Sequence, residues 1–302
     1  MQREAIEALA DLVPPAHGMR SVMARRFDRA DTQAADEGCW VVEEQALRIE
    51  VRGVGDYTLM CTPTGSSGAA GYLANEGLLG DAAEPGALAL AAGFLLTEGL
   101  IGGIGDVASI AVCPDSASRV EVRLVDPARV RSARRSGVVT SSCSVCANVD
   151  GVVEPGDGQT RVDSTLRVSA DALQQRMRAM RGRQTIFGRT GGTHAAALFG
   201  ADGALLALAE DLGRHNALDK VIGHGLLHAL PVRGGCAMLS GRVSLEMITK
   251  AARAGIELVA AVSAPSSMAI DAARRAGITL CGFVRGDRLT AFSHAQRLRG
   301  GG

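Results

Sequence analysis

Two cysteines three positions apart, Cys143 and Cys146 in TSSCSVCANVD, are the side chains of this sequence with the clearest chemical potential. A thiol pair at that spacing can exchange disulfides, carry a persulfide or supply half of a zinc site, and it can also simply pack. The Ser and other small residues around it suit an exposed loop. A zinc site needs about four ligands, and no second CxxC supplies the other half. The remaining cysteines, Cys39, Cys61, Cys113, Cys236 and Cys281, are isolated in sequence and read as small core hydrophobes. An odd total of 7 argues against a disulfide framework.

A second concentration of polar groups lies in GGTHAAALF and EDLGRHNALDKVIG, which carry His194, Glu210, Asp211, Arg214, His215, Asn216, Asp219 and Lys220 beside apolar runs. One reading is a binding or proton-transfer site at a strand end. The plainer one is a capped helix start, with Asp or Asn satisfying free amides and Asp219 to Lys220 on a solvated face. His17, His224 and His228, taken singly, read as structural or exposed.

The elements that must position these groups follow from periodicity. LRIEVRG and DYTLMCT alternate about a turn at Gly53 to Asp56 and predict a β-hairpin; VASIAVC and RVEVRLV, joined by PDSAS, predict another. LALAAGFLLTEGLI between them predicts a buried helix. Residues 1–38 lack sustained periodicity and read as a loosely attached extension, with order beginning near Trp40. Further on, GCAMLS, IELVAAVS and ITLCGFV read as strands separated by two helices, one starting near Arg242 with Ser240 as candidate cap, the other with Pro265 in its first turn. That β-α-β-α-β rhythm predicts parallel strands with right-handed crossovers.

Ligands of open parallel sheets sit outside the carboxyl ends of the strands. The loops holding Ser240 and Arg242, Ser263 and Ser266, and the run Phe283, Val284, Arg285, Gly286, Asp287 and Arg288 should therefore share one crevice. Helix N-termini and arginine forks there suit a phosphorylated ligand, the alternative being connector loops with solvated arginines. No GxxxxGK[ST] or complete GxGxxG occurs, which disfavours an ordinary nucleotide hydrolase or dehydrogenase.

Composition narrows the class. With 32 basic and 32 acidic residues in 302, the chain lacks the surplus of positive charge that a nucleic-acid binder uses on phosphates. A 47% apolar content supports a sizeable core and excludes wholesale disorder. No signal-peptide core and no apolar run of membrane-spanning length are present, so the expectation is a soluble cytoplasmic protein without membrane partners.

The segments EEQALRIEV, GFLLTEGLI, SSCSVC, GGTHAAAL, EDLGRHNALDKVIG, SGRVSLEMITKAARAGIELVAAVSAPSSMAI and GFVRGDRLTAFSHAQRL, in that order from about Val42 to Leu298, resemble the FdhD family of formate dehydrogenase accessory sulfurtransferases. The resemblance implies an α/β, overall α+β, chain: an extension over 1–38, a small α+β domain over 39–140, and a cytidine-deaminase-like domain over 141–302 that opens on the CxxC loop. The deaminase zinc signature is missing. The resemblance also implies that Cys143, with Cys146 beside it, receives sulfur as a persulfide from a cysteine desulfurase. That sulfur goes to the molybdenum bis(molybdopterin guanine dinucleotide) cofactor of formate dehydrogenase, with no permanently bound metal. The run Phe283 to Arg288 would contact the cofactor, and His194 and Arg214 join the crevice residues as candidate contacts. Implied partners are the desulfurase, the catalytic subunit of formate dehydrogenase and a second copy of the chain. A non-catalytic chaperone that only holds the cofactor is the alternative. Two departures stand out: the family's CGxCG is here CSVCA, with Ser144 and Ala147 for glycines, and residues 64–83 look like an insertion.

Overall fold

The computed structural model describes residues 17–27, 35–64, 70–80, 86–130, 137–139 and 161–299. Cys143 and Cys146 lie outside the described residues. The architecture is mixed α+β.

A seven-stranded sheet is assembled from the first half in the order β6-β5-β7-β8-β3-β4-β9. Its centre is the hairpin β3 (Gln45–Val51) and β4 (Gly55–Cys61), joined to the hairpin β7 (Val107–Cys113) and β8 (Ser116–Leu124) through the parallel pair β3 and β8. Strict alternation buries Leu47, Ile49 and Val51 on one face, as period-2 side-chain direction requires. Strand β9 (Gly137–Val139) closes one edge and the short hairpin β5 (Gly71–Leu73) and β6 (Gly77–Leu79) the other. The stretch that reads as an insertion therefore extends a sheet edge.

Helix α1 (Ala87–Thr97) covers this sheet, and its residues from Leu88 to Thr97 are all buried, because it is apolar on every side. Regular structure begins earlier than the sequence indicates. Strand β1 (Met19–Arg26) pairs antiparallel with β2 (Ala35–Val42), so order is already present ahead of the expected onset near Trp40. The cross-strand pattern of β1 is mostly partly exposed, which is why its sequence carries no apolar period.

The second half forms a six-stranded sheet, β12-β11-β13-β14-β15-β16. Strands β13 (Cys236–Leu239), β14 (Leu258–Ala261) and β15 (Thr279–Arg285) are parallel, connected by α5 (Leu245–Arg253) and α6 (Ser267–Ala276). Strands β11 (His194–Phe199), β12 (Leu205–Asp211) and β16 (Arg288–Ser293) run antiparallel to their neighbours. The short strands β10 (Val168–Ser169) and β17 (Leu298–Arg299) pair parallel outside it. Helix α5 starts at Leu245 rather than Arg242, with Ser244 at its N-cap position; Ser240 does not cap it. The run from Phe283 to Arg288 is a hairpin between β15 and β16 rather than a loop.

Both faces of the second sheet are covered. On one, Ala196, Leu198, Ala237, Leu239, Val259 and Leu280 merge with α1, α4 (Arg214–Leu227), α5 and the first sheet into one continuous core. On the other, Ala195, Phe199, Met238, Leu258 and Cys281 pack against Leu173, Met177 and Met180 of α2 (Ala170–Arg181). Helices α1 and α4 thus lie back to back between the two sheets. Among the described residues no helix is long and apolar enough to cross a membrane.

Candidate functional site

The carboxyl ends of β13 and β14 open on a cleft of about 310 Å³, whose lining includes Ser240, Val262 and His194. His194 is the first residue of β11, and because β11 runs antiparallel to β13 its N-terminal end arrives at the same edge. Gly241 holds the groups close: a Cβ there would stand 3.1 Å from His194 Nδ1 and 3.7 Å from Arg214 Cδ. Burial lowers the His194 pKa, and the charges of Arg214, His215 and Arg242 lower it further against the opposing effect of Asp211. A neutral imidazole therefore faces a positively charged edge.

The structure brings His194, Ser240, Arg214 and Arg242 together around Gly241. Ser240 Oγ accepts the Ala195 amide at 2.8 Å and so fixes the entrance of β11. Arg214 opens α4 and its Nε is buried without a hydrogen-bond partner among the described residues. Arg242 is exposed.

The other two loops meet at a neighbouring point. The Phe283 amide donates to the Ser263 carbonyl at 3.3 Å, and a parallel bridge from Val243 to Pro265 ties the two helix-leading loops together. Ser266 caps α6 by accepting the Ala269 amide at 3.2 Å, which commits its hydroxyl. Phe283 holds φ at +55°, an unusual value for a residue with a side chain, and is 38% exposed with the Arg285 guanidinium carbon 5.9 Å from its ring centre. Arg285, Gly286, Asp287 and Arg288 are exposed at the hairpin tip, whereas the Val284 side chain is fully buried in the core, leaving only its backbone for a ligand.

The cleft also contains residues that sequence reasoning missed, notably Arg181, Gln184 and Phe187. They come from α2 and the short α3 (Thr185–Thr190), which Glu210 anchors by accepting the amides of Ile186 and Phe187 at 2.9 and 2.8 Å and the Thr193 hydroxyl at 2.9 Å. Only the Gly-Gly-Thr preceding His194 hinted at a close-packed turn.

Most of the charged cluster at the start of α4 turns inward, which rules out the solvated face that the plainer reading gave Asp219 and Lys220. Lys220 Nζ sits 2.8 Å from Asp211 Oδ2 with both side chains buried, and Lys220 also donates to the Thr62 carbonyl and Thr64 hydroxyl of the first half. Asp211 accepts the amides of Thr62 and Gly213 as well. Asp219 pairs with Lys250 at 2.8 Å and accepts the Thr97 hydroxyl at 2.7 Å. His215 Nε2 lies 2.9 Å from Glu246 Oε2, joining α4 to α5. These groups hold the edge in place beneath the cleft.

Three of the isolated thiols, Cys61, Cys236 and Cys281, are poor nucleophiles. Burial pushes Cys61 and Cys281 up to about 12 and raises Cys236 as well. Cys113 is buried against Arg119, whose Nη2 donates to its sulfur at 2.8 Å. Among the described residues no three His, Cys, Asp or Glu side chains form a metal-holding group.

The FdhD/NarQ family profile matches residues 83–299. A sulfur carrier protein FdhD of Anaeromyxobacter dehalogenans strain 2CP-C is 41% identical over 269 residues, covering 84% of this chain and 87% of the relative. One from Streptomyces coelicolor is 39% identical over 262 residues, covering 85% and 88%. A crystal structure from Desulfotalea psychrophila, described as that of a formate dehydrogenase accessory protein, superposes with a TM-score of 0.68 at 21% identity, over 93% of this chain and 100% of its own, and shares the fold. Identity at this level over most of both chains, together with a profile spanning α1, the inward-turned α4 cluster and the whole six-stranded sheet, makes this chain a member of the FdhD/NarQ family.

Proposed function

We propose that this chain is a sulfur carrier in the maturation of formate dehydrogenase. The Cys143 thiolate attacks the outer sulfur of a persulfide on a cysteine desulfurase, the donor cysteine leaves as thiolate, and Cys143 keeps the sulfur. The sulfur then passes to the molybdenum of a bis(molybdopterin guanine dinucleotide) cofactor, which is substrate and cargo: the S–S bond breaks, the Cys143 thiolate leaves, and the two electrons that turn the outer sulfur into sulfide come from the metal, which enters reduced and leaves two electrons more oxidised. Cys146 follows it three positions later in the sequence. The names of the relatives support the carrier role, and the description of the Desulfotalea structure supports the link to formate dehydrogenase.

The observation that carries the cofactor half of the reading is the convergence of His194, Arg214 and Arg242 on Gly241. The free Arg214 Nε and the exposed Arg285 and Arg288 add donors suited to the diphosphate links of a guanine dinucleotide. The parallel β13-β14-β15 core, flanked by antiparallel β11 and β16, supports a cytidine-deaminase-like assignment for the second half, with the domain division near residue 140. The same reading has the protein act in the cytoplasm as a homodimer, alongside a desulfurase and the catalytic subunit of formate dehydrogenase.

Mass spectrometry after incubation with an active cysteine desulfurase and cysteine tests the carrier step. A reducible gain of roughly 32 Da, one sulfur atom on a thiol, is expected in the wild type and in Cys146→Ala but not in Cys143→Ala. No gain in the wild type would leave a cofactor-holding chaperone as the better account.

A further inference from the structure

The lining of the cleft joins two kinds of surface. His194 and Ser240 are polar, and the edge they form runs on through Gly241 to Arg214 and Arg242. Phe187, on the short helix α3, contributes a hydrocarbon ring that is 47% exposed. A single exposed apolar side chain is ordinary on a protein surface. Phe187 is set apart by how firmly its backbone is held and by what its ring lacks.

The carboxylate of Glu210, a residue 5% exposed, accepts the amide of Phe187 itself as well as that of Ile186. A buried carboxylate is costly to desolvate, and this one spends both oxygens on α3. At the other end of the helix the Thr190 hydroxyl donates to the Ile186 carbonyl at 2.8 Å and accepts the Gly192 amide at 3.1 Å. Gly192 is seated so closely on β2 that a Cβ would stand 2.7 Å from Val42 Cγ1. The ring, by contrast, has no companion. Of the 6 phenylalanines in the chain, Phe94 has Tyr57, Phe283 and Phe292 have each other, and Phe199 lies under Arg176. Phe27 ends the described stretch 17–27. Among the described residues the Phe187 ring has neither an aromatic nor a cationic partner, and the exposed Arg181 guanidinium, also in the cleft lining, makes no hydrogen bond or ion pair.

We propose that Phe187 is a stacking platform for a fused heterocycle bound in the cleft, and that Arg181 selects a ring with a carbonyl and a ring nitrogen on one edge, the pattern shared by guanine and pterin. The inference rests on the cofactor half of the preceding reading and assigns the ring end of the ligand, which that reading leaves open. Stacking accepts any base, because every base has a π-face. Choice therefore falls to the arginine fork, which donates two bonds to a carbonyl and its neighbouring ring nitrogen, whereas adenine presents an amine, itself a donor, in the carbonyl's place. A cleft of about 310 Å³ lies at the small end of the roughly 300–1,000 Å³ of small-molecule sites. It has room for one heterocycle and its sugar, with the phosphates on the Gly241 edge beside Arg214 and Arg242.

Calorimetric titration of the full-length protein with guanosine diphosphate, adenosine diphosphate, 6-hydroxymethylpterin and pyrophosphate tests it. For the ring that the subsite holds, Phe187→Ala should weaken binding at least about fivefold, and Phe187→Tyr should restore it to within about twofold. Loss confined to guanosine diphosphate identifies guanine as that ring, and loss confined to the pterin identifies pterin. Pyrophosphate, which has no ring, should bind both variants as it binds the wild type. Arg181→Ala should reduce the preference for guanosine over adenosine diphosphate, or the affinity for the pterin, at least about fivefold. Unchanged affinity of Phe187→Ala for both ring ligands, or an equal loss for pyrophosphate, would overturn the proposal while leaving the cofactor reading intact. A wild type that binds pyrophosphate but neither ring ligand would also overturn it, and one that binds none of the four would remove the cofactor reading as well. Phe187 is exposed, so its variants keep the fold, which melting curves verify.

Discussion

Gly223 on α4 lies against the backbone of Ala89 on α1 so closely that a methyl group on Gly223 would overlap the Ala89 carbonyl oxygen. The contact is reciprocal, since a methyl group on Gly93 would overlap the Asp219 carbonyl. In an exposed helix, Gly→Ala stabilises by roughly 0.5–1 kcal/mol. Here the obstructing atoms are backbone and cannot swing aside. Gly223→Ala and Gly93→Ala should each lower stability by about 1–3 kcal/mol or more in urea denaturation; a gain in either would show that the helices part without cost.

The ion pair between Asp219 and Lys250 crosses from α4 to α5 with Thr97 and Glu98 of the first half as additional partners. Burial pushes the Asp219 pKa up, against the pull of Lys250 and the Thr97 hydroxyl. Lys250→Met leaves that carboxylate unpaired and should cost about 3–5 kcal/mol. Adding Asp219→Leu should recover a measurable part of the loss, a double-mutant cycle that simple additivity would contradict.

Acid stability should depend on Glu257. Burial alone would raise its pKa, but bonds from Thr165 and the Leu166 amide, together with Arg297 at 3.1 Å, hold it below the ordinary 4.5. A folded-state pKa depressed in this way contributes stability above the unfolded value, and that contribution is lost as pH falls below about 4.5 through the folded value. Relative to Glu257→Gln, the wild type should therefore lose more stability between neutral pH and pH 4. Parallel pH profiles for the two proteins would refute this.

Phe283 gives a test of backbone strain at the cleft edge. At φ +55° a glycine carries no steric penalty, so Phe283→Gly should be more stable than Phe283→Ala by about 1 kcal/mol, although both lose the ring's contact with Phe292. Equal melting temperatures would mean the hairpin relaxes around the substitution.

Two arginines beside the cleft make a further separable prediction. Arg242→Ala and Arg285→Ala should each weaken binding of guanosine diphosphate, measured by calorimetry, by roughly tenfold, the loss of one charge-assisted contact. Arg48→Ala, at an exposed pair with Asp56 on the first sheet, should leave it unchanged.

Much of the second half was legible because its strands are short apolar runs between amphipathic helices, and the loops carrying Ser240 and Ser263 follow from strand direction alone. What stayed hidden has particular causes. Lys220 and Asp219 look like surface charges because their partners, Thr62, Thr64, Thr97 and Lys250, lie between 30 and about 160 positions away in sequence. Strand β1 is unreadable because it is only partly buried, and Phe187 gives no signal because α3 is too short for periodicity.

The back-to-back seating of α1 on α4 has a consequence for biosynthesis. When α1 leaves the ribosome, the helix that covers it is still about 130 residues from completion, a delay of roughly 10 s at ordinary elongation rates. During that interval a helix apolar on every side has only its own sheet to shield it. The nascent first half should therefore be a chaperone client until Leu227 has emerged, and slow decoding between residues 98 and 213 should lengthen its exposure to aggregation.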